Sequence, residues 1–110
     1  PVVTVKDGSS FSIVCKGMPI TVINEKLNYN VCTYNMEPGD TLHINTDGLF
    51  EQKNSEDEFF GEERLVNIIS KKAGSQPEAV LDHLYDKFFQ FKEDMPLQDD
   101  LTSLLIQREN

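Results

Sequence analysis

Two groups of carboxylates stand beside apolar segments of this sequence, at positions that suit a divalent cation. Asp47 follows the alternating segment 41–45 and precedes Gly48, which lets the backbone turn away from the carboxylate. Asp99 and Asp100 stand immediately before a second apolar segment. Hard cations such as Mg²⁺ and Mn²⁺ prefer carboxylate and water oxygens as ligands. We therefore expect the two groups to converge on one ion, while an ordinary Asp-Gly turn is the competing interpretation of Asp47.

The segments that would carry these carboxylates have the patterns of β-strands. After the turn signal Pro38-Gly39, Leu42 and Ile44 alternate with polar residues, which is typical of a strand with one buried face. His43 alternates with them, so we place it on the other face and give it no catalytic role. Residues 101–107 are short and mostly apolar, as in a central strand.

The first third of the chain also has strand patterns. Two short β-branched segments flank Asp7-Gly8, which predicts a hairpin. Residues 16–19 break the pattern and indicate a loop, and the alternation in residues 27–35 predicts a further strand with one side near solvent. Cys15 and Cys32 lie within these patterns, so we expect buried free thiols, with a disulfide between them as the alternative.

Between the two carboxylate groups, the apolar periodicity predicts two helices, at residues 61–72 and 76–92. In the first, Lys71 and Lys72 would lie in the last turn. Residues 75–78 read as a capping box that opens the second helix. The order of strands, two helices and a closing strand predicts an α+β fold, mainly an antiparallel sheet with both helices packed on one face. The acidic segment 51–58 is interpreted as a solvated surface.

Length and charge limit the class of protein and its partners. With 110 residues, the chain has room for one domain and a modest core. Its net charge of −9 argues against nucleic acid as a partner, because phosphate backbones attract basic surfaces. No apolar run approaches the roughly 20 residues needed to cross a bilayer. We therefore expect no membrane insertion by this segment and a cytoplasmic location.

The ordered set of motifs resembles a known family. These motifs are Pro-Gly-Asp at 38–40, Thr-Asp-Gly-Leu at 46–49, Glu51, Phe60-Gly61 and Asp-Asp-Leu-Thr at 99–102. They are similar to the closing motifs of the PPM-type (type 2C-like), metal-dependent serine/threonine phosphatases. The branch they resemble is that of SpoIIE and of the bacterial phosphatases that activate stress sigma factors. The resemblance covers essentially the whole chain and implies part of an αββα phosphatase sandwich.

The resemblance also implies a site for two Mn²⁺ or Mg²⁺ ions. Asp47 and Asp99 would be metal ligands, and Asp100 would support the metal site beside them. No catalytic residue is expected beyond these metal-site residues. Segment 51–58 would correspond to a region in which the family carries a mobile flap. The turns that aim the carboxylates would be shaped by Thr46, Gly48 and Thr102.

The family's site needs a further Glu and an Asp-Gly motif from an earlier strand pair, and nothing before Asp47 resembles them. We therefore expect residues 1–110 to be the C-terminal portion of one phosphatase domain, with an incomplete metal site and no activity of their own. Uncovered strand edges and an apolar face would favour a homo-oligomer.

Two classes of function remain open from the sequence. The first is part of an enzyme, a protein serine/threonine phosphatase whose substrate is a phosphoprotein in bacterial signalling, such as an anti-anti-sigma-type regulator. The second is a non-catalytic interaction module that has kept the fold. Retention of all three aspartates favours the enzyme. A third interpretation is a plain α+β domain whose resemblance is accidental.

Overall fold

The computed structural model describes residues 2–4, 7–15, 17 and 29–109, with the side chains of residues 2–4 left out. Within these residues four strands form one sheet in the order β2-β1-β3-β4, and every neighbouring pair is antiparallel. The strands are β1 Val2–Thr4, β2 Ser10–Ser12, β3 Thr41–Asn45 and β4 Ser103–Gln107. The helices are α1 Asp47–Phe50, α2 Gly61–Ser70 and α3 Pro77–Lys92. The predicted α+β fold with an antiparallel sheet is confirmed.

The helices pack on one face of the sheet and form the core with it. Leu105 of β4 and Leu101 before it pack against this core, which places the core between the helices and the sheet. The long helix α3 contributes to this core, because its apolar and aromatic side chains recur at three- and four-residue spacing and so lie on one face of the helix. The buried apolar residues of this cluster are Leu49, Phe60, Leu65, Ile69, Val80, Leu84 and Phe88.

The opposite face of the sheet is apolar and half exposed. Ile44 pairs with Leu104 across β3 and β4, and Leu42 pairs with Ile106. Ile44, Leu104 and Ile106 are 41, 52 and 44% exposed. The expectation that the apolar residues of β3 face the core of this chain is therefore wrong, because Thr41 and His43 occupy the buried face. We call the surface formed by Leu42, Ile44, Leu104 and Ile106 the open sheet face.

β4 lies at the edge of the sheet formed by the described residues. The sequence predicted a central strand because four of the seven residues in 101–107 are apolar. In the structure its side chains alternate between the core and the open sheet face, so the apolar run reflects two apolar faces of an edge strand.

The helix boundaries differ from the prediction in two details. α2 ends at Ser70, so Lys71 and Lys72 follow the helix and do not lie in its last turn. α3 begins at Pro77 with Gln76 as its N-cap and without a side-chain cap hydrogen bond, so the predicted capping box is wrong. Proline at the first helical position suffices to start the helix, since its φ is already helical. In the described part of the chain, no helix has the length and apolar character needed to span a bilayer.

The N-terminal strands form the predicted hairpin, while two other expectations fail there. Gly8 at the turn has φ +87°. Residues 29–35 form no regular strand, and residues 27 and 28 lie outside the described residues, as do residues 16, 18 and 19 of the predicted loop. Cys15 and Cys32 are paired in a disulfide, with their Cα atoms 5.9 Å apart. Both residues are exposed, so the expectation of buried free thiols is wrong.

Candidate metal-binding site

The segments that carry Asp47 and Asp99 are joined by hydrogen bonds between Thr46 and Thr102. The N–H of Thr46 donates to the carbonyl of Thr102 at 3.0 Å. The N–H of Thr102 donates to Oγ1 of Thr46, also at 3.0 Å. The Thr46 hydroxyl then donates to the carbonyl of Asp100 at 3.1 Å. These bonds extend the pairing of β3 with β4 by one residue and bring both acidic segments to the same end of the sheet.

Gly48 allows a close approach between these segments. A Cβ atom at Gly48 would lie 2.1 Å from the carbonyl oxygen of Asp100 and 3.3 Å from that of Asp99. No side chain fits there without moving the backbone. The sequence suggested that Gly48 frees the backbone to turn after a strand that ends at Asp47. Instead, β3 ends at Asn45, Asp47 opens the short helix α1, and Gly48 makes room for the neighbouring chain.

The three aspartates present their side chains to solvent, since each is exposed. Oδ1 of Asp99 accepts the N–H of Asp100 at 2.7 Å, which orients the Asp99 carboxylate. The ion pairs within the described residues are Lys53–Asp57 and Arg64–Glu58, so neither involves these aspartates.

The donor chemistry at this corner fits a hard divalent cation, while the number of donors is small. All three side chains offer carboxylate oxygens, which such a cation prefers. Because Gly48 has no side chain, the backbone of Asp99 and Asp100 can lie against α1. However, among the described residues no group of three or more His, Cys, Asp or Glu side chains is placed to hold a metal ion. The chain thus brings the two backbone segments together without gathering the three carboxylates into one coordinating group.

A second link between the same segments involves Gln52, which the sequence analysis overlooked. Its side chain is 1% exposed. Nε2 of Gln52 donates to the carbonyl of Pro96 at 3.1 Å, and Oε1 accepts the N–H of Gln98 at 3.3 Å. In return, Oε1 of Gln98 accepts the N–H of Lys53 at 3.2 Å. Gln52 stands in a polar, acidic segment, so no hydrophobic period in the sequence marks it as buried.

The rest of segment 51–58 forms an ordered turn with an exposed outer side. Oδ1 of Asn54 accepts the N–H groups of Glu56 and Glu58, each at 3.0 Å. Nζ of Lys53 contacts Oδ1 of Asp57 at 2.7 Å. Residues 55–58 are exposed, as expected for a solvated surface.

His43, in the middle of β3, is another buried polar residue. It is fully buried, and neither ring nitrogen has a hydrogen-bond partner in the described part of the chain. Burial lowers its pKa from 6.5 to about 4, because the charged form would lose its hydration. His43 is therefore neutral near pH 7 and belongs to the interior of the fold.

A family model described as Stage II sporulation protein E (SpoIIE) matches residues 1–109. The chain belongs to the SpoIIE family. No curated protein matches the chain. The SpoIIE match spans both acidic segments and the two helices between them, so the corner described above is part of the family's domain.

Solved structures similar to this SpoIIE-family chain are phosphatase domains. The Mn-presoaked phosphatase domain of SpoIIE from Bacillus subtilis is 17% identical, with a TM-score of 0.69 over 99% of this chain and 46% of that one. A second structure of that domain is 16% identical, with a TM-score of 0.59 over 100% and 48%. The SiaA-PP2C domain of Pseudomonas aeruginosa is 21% identical, with a TM-score of 0.65 over 69% and 31%. The chain has this fold and spans less than half the length of these domains.

Proposed function

We propose that this chain supplies part of the metal site of a protein serine/threonine phosphatase. In this proposal residues 1–110 are the C-terminal portion of a single phosphatase domain. The observation that carries the proposal is the junction at Thr46 and Thr102, which holds the Asp47 segment against the Asp99–Asp100 segment. Membership of the SpoIIE family and a fold like that of solved phosphatase domains support it.

In this role Asp47 and Asp99 would bind Mn²⁺ or Mg²⁺, and Asp100 would support the metal site. Two such ions, when bound, supply a water of lowered pKa and polarise a phosphoryl oxygen. Thr46, Gly48 and Thr102 hold the backbone that aims the carboxylates. No side-chain nucleophile is needed. The remaining metal ligands would come from residues outside the group of three aspartates, since these alone offer too few oxygens for about six coordination positions.

The substrate in this proposal is a phosphoprotein in bacterial signalling, such as an anti-anti-sigma-type regulator, and the reaction takes place in the cytoplasm. The net charge of −9 argues against nucleic acid as a partner, since phosphate backbones attract basic surfaces. Self-association of the 110-residue chain on its own, through the open sheet face, is part of the same proposal, because about half of each of three apolar side chains there contacts solvent.

A second candidate function is a non-catalytic interaction module that has kept the fold. The described residues assemble no group of three metal-binding side chains, and a module of this kind needs none. The two candidates differ in whether the protein releases phosphate in the presence of Mn²⁺.

The test is phosphate release from a phosphoserine peptide by the full-length protein that contains this chain, with Mn²⁺ and with EDTA. Asp99→Asn should abolish the Mn²⁺-dependent release, because a carboxamide is a poorer ligand than a carboxylate. Asp82→Asn, the same change at an exposed position of α3, should leave it unchanged. A wild-type protein without Mn²⁺-dependent release would contradict the enzyme proposal and favour the interaction module.

A further inference from the structure

We infer that Gln52 is a positioning residue that fixes Asp99 relative to Asp47 and so sets the affinity of the site for its metal ion. The inference rests on the proposed function, since it assigns Asp99 a ligand's role. Gln52 lies outside the sequence motifs by which the chain resembles the phosphatase family, which are 38–40, 46–49, Glu51, 60–61 and 99–102.

The corner at Asp99–Asp100 is held on both of its flanks by the segment that contains Asp47. On the side that leads into β4, Thr102 bonds to Thr46. On the opposite side, Gln98 bonds to Gln52 through the backbone N–H of the former and the side-chain oxygen of the latter. α1 lies between these two links, with Gly48 against the carbonyls of the corner. The two links together define the position of the corner along α1.

The side-chain hydrogen bonds of Gln52 go to the segments next to the aspartates, as expected of a residue that positions these segments. Nε2 donates to Lys53 at 2.9 Å and to Pro96 at 3.1 Å, while Oε1 accepts from Gln98. All these partners lie in the two segments next to the aspartates, and none lies in β3, β4, α2 or α3. Gln52 thus ties the loop before Asp99 to the residues after α1, and the side-chain amide adds no hydrogen bond to the core.

The burial of Gln52 makes this link stiff. A buried amide whose donor and acceptor groups are both used has one favourable orientation, because any rotation leaves a polar group unpaired without water to replace the bond. Gln98 reinforces the link by accepting the N–H of Lys53. Metal ligands must be held to within about 0.5 Å of the productive geometry by supporting groups of this kind.

The experiment uses Gln52→Met in the full-length protein, since methionine keeps the length of the side chain and removes its hydrogen bonds. The matched control is Gln90→Met, the same change at an exposed position of α3. We expect Gln52→Met to raise the Mn²⁺ concentration for half-maximal phosphate release by about 10- to 100-fold, the range typical of residues that support metal ligands. KM for the phosphopeptide, measured at saturating Mn²⁺, should change less than about twofold, because the Gln52 side chain is buried and out of reach of a bound peptide.

A second variant covers the case in which Gln52→Met does not fold. Gln98→Met changes an exposed side chain and removes only its bond to the Lys53 N–H. It should raise the half-maximal Mn²⁺ concentration in the same direction by a smaller factor. If both variants lower Tm while their Mn²⁺ dependence stays that of the wild type, Gln52 has only a structural role and the inference is overturned.

Hydrogen exchange measured by mass spectrometry separates this inference from the proposed function. In full-length Gln52→Met, without metal, amide exchange should accelerate in residues 96–100 more than in α2, because the link to Gln52 is lost. A wild-type protein without metal-dependent activity would overturn the proposed function, and with it the metal part of the inference. Unchanged exchange in residues 96–100 would overturn the positioning itself, whatever the activity.

Discussion

The hydroxyl of Ser103 donates a hydrogen bond to Oδ1 of Asn45, its partner across β3 and β4, at 2.5 Å. This pair is the last of the regular ladder, and Thr46 and Thr102 extend the pairing by one residue toward Asp47 and Asp99. A slip of one residue in this register would move every side chain of β4 to the other face of the sheet. The position of the candidate site therefore depends on the pairing of two polar residues.

The hydroxyl of Thr46 should contribute measurably to stability. Thr46→Val keeps the shape of the side chain and removes the bonds to the Thr102 N–H and the Asp100 carbonyl. We expect the free energy of unfolding to fall by about 1–3 kcal/mol, since the partners lose their bonds. Urea unfolding measures this. Thr33→Val, the same change at an exposed position, should have little effect, and an equal loss in both variants would contradict the assigned role.

Gly48→Ala adds only one methyl group, yet it should clearly destabilise the corner formed by α1 and residues 99–100. The new Cβ would meet the Asp100 carbonyl at 2.1 Å, so α1 and the corner must separate. We expect a loss of about 2–3 kcal/mol, as for overpacked interiors, together with weaker Mn²⁺ binding measured by calorimetry. In Gly17→Ala the new Cβ would lie 3.8 Å from Cδ1 of Tyr29, an ordinary contact, so this control should stay close to the wild type.

Asp47→Asn should separate activity from stability in the full-length protein. Loss of the charge of a metal ligand should lower turnover by about 100-fold or more. Residues that only support metal ligands already cost up to about 100-fold when they are changed. The thermal transition should stay constant or rise, because one carboxylate fewer reduces repulsion near Asp99. Asp82→Asn on α3 provides the control. A fully active Asp47→Asn protein would show that Asp47 is only a turn residue.

His43 should make the fold sensitive to acid. The unfolded chain takes up a proton on this side chain near pH 6.5, and the folded chain only near pH 4. The free energy of unfolding should therefore fall as the pH drops from 6.5 to 4, by at most about 3 kcal/mol, and gain nothing from this group above 6.5. Urea unfolding across this range, compared with His43→Leu, isolates the effect. Equal slopes for the two proteins would contradict it.

The open sheet face should cause self-association of the 110-residue chain. Leu104 and Ile106 are about half exposed in an edge strand, and burying such a surface is favourable. Sedimentation velocity should show dimers or larger species for the wild type and a monomer for Leu104→Glu. Gln90→Glu adds the same charge on α3 and should leave the association unchanged. A strictly monomeric wild type would contradict the prediction.

Local sequence patterns predicted the positions of the helices and strands better than they predicted which face of each element is buried. The periodicity that defines α2, α3 and β3 is visible in the sequence because each element buries one face. The prediction also placed the acidic segments beside strand ends, and in the structure Asp47 follows the end of β3 while Asp99 and Asp100 precede the start of β4. In contrast, the burial of His43 and the exposure of Ile44 were inverted, because alternation reveals two faces without indicating which face the chain covers.

Features that depend on distant residues could not be read from the sequence. The buried side chain of Gln52 forms hydrogen bonds with Pro96 and Gln98, more than 40 residues away, and no local pattern reports that contact. The disulfide between Cys15 and Cys32 likewise depends on two segments meeting in space. Whether Asp47, Asp99 and Asp100 bind a metal ion remains a prediction, and the experiments above address it.

The junction of Thr46 with Thr102 also imposes an order on biosynthesis. The two residues are 56 positions apart, so the ribosome translates α2 and α3 after Thr46 and before Thr102. At usual elongation rates of about 5–20 residues per second, this interval lasts roughly 3 to 11 s. During that time the nascent chain carries Asp47 without the segment that closes the corner. The ribosome must release residues 99–102 from its exit tunnel before the two acidic segments can meet.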